Sequence, residues 1–214
     1  MRVNLAKSAG FCLGVKRAIR IALESSGKCQ SIVMLADIVH NEEVVKEIKK
    51  AGIKKTATLD RSGGQFLLIS AHGAAKKIYA QAKKQGMTII DATCPMVKGI
   101  HRLAQNLEGQ GFRIIIIGDK KHDEVRGIAG QLKQKALVLE GLKDVRSGKF
   151  SGIKKAAVIL QSTQNLEEAW KIFRSVRKLI PQVEFFNTIC QPTRIKQQEI
   201  KTLPTENDCM LIIG

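Results

Sequence analysis

The stretch MTIIDATCPMVKGIHRLAQNLEGQGFRIIII, residues 87–117, decides the fold class. It opens on a short apolar run at 87–90 and passes through a polar loop at 91–95. A stretch with helical spacing follows at 96–111, then a second apolar run at 112–117. Strand, helix and strand in that order imply a parallel βαβ unit. The loop holds one cysteine, Cys94, with Pro95 directly behind it. By position alone Cys94 has three readings: a small buried apolar residue, half of a disulfide, or a working thiolate.

The same pattern recurs on both sides. Apolar runs at 31–36, 65–70, 156–161 and 183–186 each lead through a polar loop into a helical stretch. Val15, Ala18, Ile19, Ala22 and Leu23 mark one face of a helix starting near Gly14, and Leu166, Ala169, Trp170 and Phe173 mark another. Gly52, Gly86 and Gly111 stand where helices should stop. The last apolar run, CMLIIG at 209–214, is expected to be a strand. The expected class is α/β, and no Pro/Ser-rich linker divides the chain, so any domains are tightly joined.

The chain has 214 residues, enough to bury a substantial core. No apolar run approaches the roughly 18 residues of a membrane span. The N-terminus lacks the apolar h-region of a secretory signal, so the expected compartment is the cytoplasm. The five cysteines are odd in number and include no CxxC pair, which argues against a disulfide framework and a zinc ribbon. Thirty-six Lys and Arg against 19 Asp and Glu give a formal charge of +17. The basic residues are scattered as pairs and aromatics make up only 4%, so the base-stacking platforms of a nucleic-acid binder are missing. A solvated basic surface, with an anionic substrate or acidic partner, accounts for the charge.

In open parallel sheets ligands bind beyond the carboxyl ends of the strands. The reactive residues in those loops are His40, His72, Cys94, His122 with Glu124, Thr163 with Asn165, and Cys190. Cys12 lies just before a helix, whose N-terminus favours an anion. Each has a plainer reading. Cys29 and Cys209 read as small hydrophobes, mid-helix His101 as structural, and Asn165 as a helix cap with Glu168 three residues on. Three widely spaced cysteines suit iron–sulfur ligation better than zinc, and leave one iron of a four-iron cluster without a protein ligand. Histidines and helix N-termini at strand ends suit a phosphate or diphosphate. Glu124 could supply a proton. These residues alone point to a cluster enzyme acting on an anionic, phosphorylated small molecule.

AGFCLGVKRAI, HNEEVV, SAHG, DATCP, GDKKHDEVRGIAG, STQN and NTICQPTRIKQ, in this order, resemble the successive motifs of the 4-hydroxy-3-methylbut-2-enyl diphosphate reductase (LytB) family. That family catalyses the last step of the non-mevalonate isoprenoid pathway. The resemblance implies three small α/β lobes around a central cluster: a first lobe over 1–95, a second over 96–190, and the start of a third over 191–214. It implies a [4Fe–4S] cluster on Cys12, Cys94 and Cys190, fed single electrons by a ferredoxin or flavodoxin type donor. It implies reductive dehydroxylation of the diphosphate to isopentenyl and dimethylallyl diphosphate. Glu124 would donate the proton, with His122 beside it in the relay and on the diphosphate. His40 and His72 would bind the diphosphate. Thr163 would orient Glu124, a water or the substrate hydroxyl, with Gln164 and Asn165 shaping the loop on the substrate side. The family continues past the CMLIIG run into a Gly/Ser/Asn loop, so the expectation is a truncated chain with an incomplete third lobe. An inactive remnant of the enzyme is the alternative reading, and a basic nucleic-acid-binding protein a more distant one.

Overall fold

A computed structural model describes residues 2–59, 63, 65–145 and 150–212. Two four-stranded parallel sheets organise it. The first has the order β2-β1-β3-β4, from β1 (Ile32–Met34), β2 (Lys54–Lys55), β3 (Phe66–Ile69) and β4 (Thr88–Asp91). The second has the order β6-β5-β7-β8, from β5 (Arg113–Ile117), β6 (Leu137–Leu139), β7 (Lys155–Leu160) and β8 (Gln182–Phe186). The two sheets therefore repeat one topology.

Burial on both faces explains the unbroken apolar runs. In β5, Ile115 and Ile117 pack into one core with α6 (Leu142–Val145) and α7 (Leu166–Arg177), while Ile114 and Ile116 pack into another with α4 (Pro95–Gly109) and α5 (Asp123–Ala129). In the first sheet, Ile32, Met34 and Leu68 meet α1 (Leu13–Ser26) and α2 (Glu42–Lys50). Val33, Leu67 and Ile69 face Ala82 of α3 (Lys76–Lys84) on the other side. Thus α1 precedes and covers the first sheet as α4 precedes and covers the second. Gly52, Gly86 and Gly111 follow α2, α3 and α4 with positive φ, the left-handed turn that ends a helix. No helix among the described residues is long and apolar enough to cross a membrane.

The sequence reading is corrected at three places. Strands β2 and β6 were not expected: β2 is two exposed lysines and β6 only three residues, and both are sheet edges. The run at 209–214 forms no strand over 209–212, where Leu211 and Ile212 are 80% and 73% exposed; residues 213 and 214 lie outside the described residues. Among the described residues the run pairs with no strand of either sheet, and without a ladder an apolar run is no strand. For the same reason Cys209 is exposed rather than part of a core. Helix α8 (Gln191–Thr202), which precedes this run, buries none of its residues.

Candidate active site

The loops of His40, His72, Cys94, His122, Thr163 and Cys190 each leave the carboxyl end of a parallel strand and lead into a helix, whereas Cys12 lies before α1, the first element. His40 follows β1, one residue before Asn41, whose side chain caps α2 by accepting the Val44 N–H at 3.0 Å. His72 sits between β3 and α3. His122 follows β5 and is itself the N-cap of α5: its Nδ1 accepts the Glu124 N–H at 3.1 Å. That bond assigns the proton of the neutral ring to Nε2, the nitrogen left for a ligand.

Two sheets thus contribute to one cluster of imidazoles. The His40 and His72 rings stack with centroids 4.3 Å apart, and the His122 ring lies edge-on at 4.8 Å from His40 and 5.3 Å from His72. Among the described residues these three form the one group of three or more ligand-type side chains whose donor atoms lie within 4.8 Å of one another. Burial, then the neighbouring His40 and His122, lower the His72 pKa to about 3, against a smaller opposing pull from Asp37. Burial and His40 also lower His122, with Asp123 and Asp119 opposing. His72 is therefore uncharged at neutral pH, and among the described residues its buried Nδ1 has no hydrogen-bond partner.

Glu124, on the first turn of α5, is 2% exposed. Burial raises its pKa, and the hydrogen bonds from Ser162 pull the other way without overcoming it. The Ser162 N–H donates to Oε1 at 2.6 Å and its hydroxyl to Oε2 at 2.7 Å. Of the expectation that Thr163 orients Glu124, a water or the substrate hydroxyl, the contact to Glu124 belongs to Ser162 instead. Thr163 is exposed, and its Oγ1 accepts from Gln161 Nε2 at 3.0 Å. Of two adjacent hydroxyls in STQN, the buried one takes the contact. Asn165 Oδ1 caps α7 through the Glu168 N–H at 3.0 Å, as its plainer reading held, and Gln164 Oε1 accepts the Asn165 N–H at 2.9 Å.

All five cysteines are free, and Cys12, Cys94 and Cys190 are each half-buried. Each is the N-cap of a helix, α1, α4 and α8 respectively, and none spends its side chain on a capping bond. Two share a further structure: Asp91 accepts the Thr93 N–H before Cys94, and Asn187 accepts the Ile189 N–H before Cys190. Two thiols lie close to Gly14. A Cβ placed there would lie 2.6 Å from Cys94 Sγ and 3.8 Å from Cys12 Sγ. Cys190 Sγ lies 3.0 Å from Thr193 Oγ1. The three do not form a single-ion group, and thiolates that hold a multi-iron cluster between them are necessarily spaced more widely. Free thiols on three helix N-termini fit such a cluster. Cys29 packs against the first core, and His101 is buried on α4 between Gly73 and Gly127.

A family profile described as LytB protein matches residues 3–214. The chain belongs to the LytB family. A relative named 4-hydroxy-3-methylbut-2-enyl diphosphate reductase from Clostridioides difficile (strain 630) is 35% identical over 216 residues, covering 100% of this chain and 77% of that protein. A protein of the same name from Aquifex aeolicus is 34% identical and covers 99% of this chain and 74% of its own. A solved structure of (E)-4-hydroxy-3-methyl-but-2-enyl diphosphate reductase superposes with a TM-score of 0.80 at 32% identity, over 99% of this chain and 76% of that one. The Plasmodium falciparum reductase gives 0.84 at 31%, over 92% and 63%. This LytB chain thus spans about three quarters of the length of the bacterial relatives it matches.

Proposed function

We propose that this chain reduces 4-hydroxy-3-methylbut-2-enyl diphosphate, replacing its allylic hydroxyl by hydrogen with two electrons and two protons and releasing water, to give isopentenyl and dimethylallyl diphosphate. The observation that carries the reading is the meeting of three histidines from two sheets beside a buried carboxyl, Glu124, in a chain whose relatives bear that enzyme's name.

His40, His72 and His122 bind the diphosphate. An anion between the rings favours the charged forms of His72 and His122 and so opposes the burial that lowers their pKa values. Burial favours the protonated form of Glu124, and Ser162 fixes the carboxyl by both oxygens. The carboxyl gives that proton to the substrate, with His122 next to it to pass on a replacement. Gln164 and Asn165 shape the far side of the loop. A [4Fe–4S] cluster on Cys12, Cys94 and Cys190 supplies single electrons and one iron without a protein ligand. A ferredoxin or flavodoxin type protein delivers the electrons, and the reaction takes place in the cytoplasm. The lobes are 1–95, 96–190 and a third beginning at 191.

The test is anaerobic purification, reconstitution with iron and sulfide, and assay with reduced viologen and the diphosphate. A brown protein with broad visible absorption is expected, with both colour and turnover lost in Cys94→Ser. Glu124→Gln should keep the colour and lose about 100-fold or more in turnover. An unchanged spectrum in Cys94→Ser overturns the cluster assignment, and wild-type turnover in Glu124→Gln overturns the proton donor.

A further inference from the structure

Two charged residues outside the site hold the cysteine-bearing segments together. Lys196 of α8 donates from Nζ to the carbonyls of Ser8 at 2.6 Å and Gly10 at 3.2 Å. Glu199, three residues along the same helix, accepts the Ser8 N–H at 3.2 and 3.3 Å and also the Ser8 hydroxyl. Asn4 Nδ2 donates to Asn207 Oδ1 at 2.7 Å, extending the tie. On the other side of Cys12, Arg17 Nη1 donates to the carbonyl of Thr93, the residue before Cys94, at 3.2 Å. Cys12 therefore lies between two cross-ties. One runs to the helix that Cys190 begins, the other to the loop that carries Cys94.

Apolar burial does not do this holding. The segment before Cys12 leaves Val3 and Leu5 78% and 82% exposed, and α8 buries nothing. Without polar ties, neither element has a packed face to fix its position relative to the other. A multi-iron cluster needs its thiolates held at fixed separation, and a ligand on an unrestrained segment dissociates and is lost to competitors.

We propose that Lys196 and Glu199 are positioning residues that clasp the Cys12 segment to the Cys190 helix and so retain the cluster. This rests on the cluster assignment proposed above. The clasp sets how long the iron stays, without touching substrate or cluster.

The experiment compares the reconstituted wild-type chain with a Lys196→Met/Glu199→Gln double variant. Lys201→Met is the control, since Lys201 is on the same helix but pairs with Glu167 at the surface. Iron release to a chelator is followed by absorbance, and hydrogen exchange over residues 2–12 is measured in the iron-free chains. The double variant should release iron about tenfold faster and exchange faster over residues 2–12. The control should match wild type in both, and Lys196→Arg alone should stay within about twofold of it. A double variant that releases iron within about twofold of wild type overturns the clasp alone. An equal loss in the Lys201→Met control also overturns it, because the effect is then not specific to the tie. A wild-type chain that retains no iron overturns the cluster assignment beneath it.

Discussion

Ser162 and Thr163 are neighbours with nearly the same chemistry, and only one touches Glu124. Removing the Ser162 hydroxyl deletes one of two bonds to a buried carboxyl, a loss of about 1.5–3 kcal/mol when the group is charged. Ser162→Ala should push the Glu124 pKa further up, move the alkaline limb of the kcat–pH profile to higher pH, and lower kcat about tenfold. Thr163→Ala should leave that profile within about twofold of wild type; a larger effect from Thr163 would restore the sequence reading. Gly14 makes a second case. In a helix, alanine is better than glycine by about 1 kcal/mol, yet a Cβ here would lie 2.6 Å from Cys94 Sγ. Gly14→Ala should keep its helix by circular dichroism and hold less than about half the wild-type iron per chain.

At the scale of elements, caps and stops were legible because they act within one turn. Asn165 and the glycines after α2, α3 and α4 stand where local chemistry predicts. Asn165→Ala should cost about 1 kcal/mol through the lost cap of α7, read as a lower urea midpoint with an unchanged slope. Asn165→Asp, which keeps an acceptor at a helix N-terminus, should cost almost nothing. Equal destabilisation by the two substitutions would show that the cap is not what Asn165 contributes. The edge strands escaped detection for the opposite reason. Lys54 and Lys55 form β2 because Val33 and Met34 offer a free edge, not because lysines favour strands. The apolar residues 209–212 pair with no described strand.

The whole molecule couples its histidines to acid stability. Below the ordinary value of 6.5, the unfolded chain protonates its imidazoles. Folded His72 resists to about 3 and folded His101 to about 4, both chiefly through burial. The unfolded state therefore binds more protons in that window, and stability is lost as pH falls from 6.5 toward those values. Glu124 has the opposite sign: its raised pKa favours the fold at low pH, and that contribution is lost as pH rises through the folded value. Denaturant midpoints at about pH 7.5, 6 and 5 should fall stepwise in the wild type and less steeply in His72→Asn. Identical slopes in the two proteins would remove His72 as the cause.

The sequence by itself determined the α/β class, the loops that carry reactive residues, most helix boundaries and the LytB kinship. These follow from periodicity, capping and ordered motifs, which are local or are read in order along the chain. Only the tertiary structure decided that the stacked rings of His40 and His72 on one sheet meet the His122 ring of the other edge-on, and that Ser162 rather than Thr163 faces Glu124. It also decided that Lys196 and Glu199 tie α8 to the segment before Cys12. Those contacts join residues from 32 to 191 positions apart, or depend on which of two adjacent side chains is buried. Packing sets both, and no local propensity encodes them.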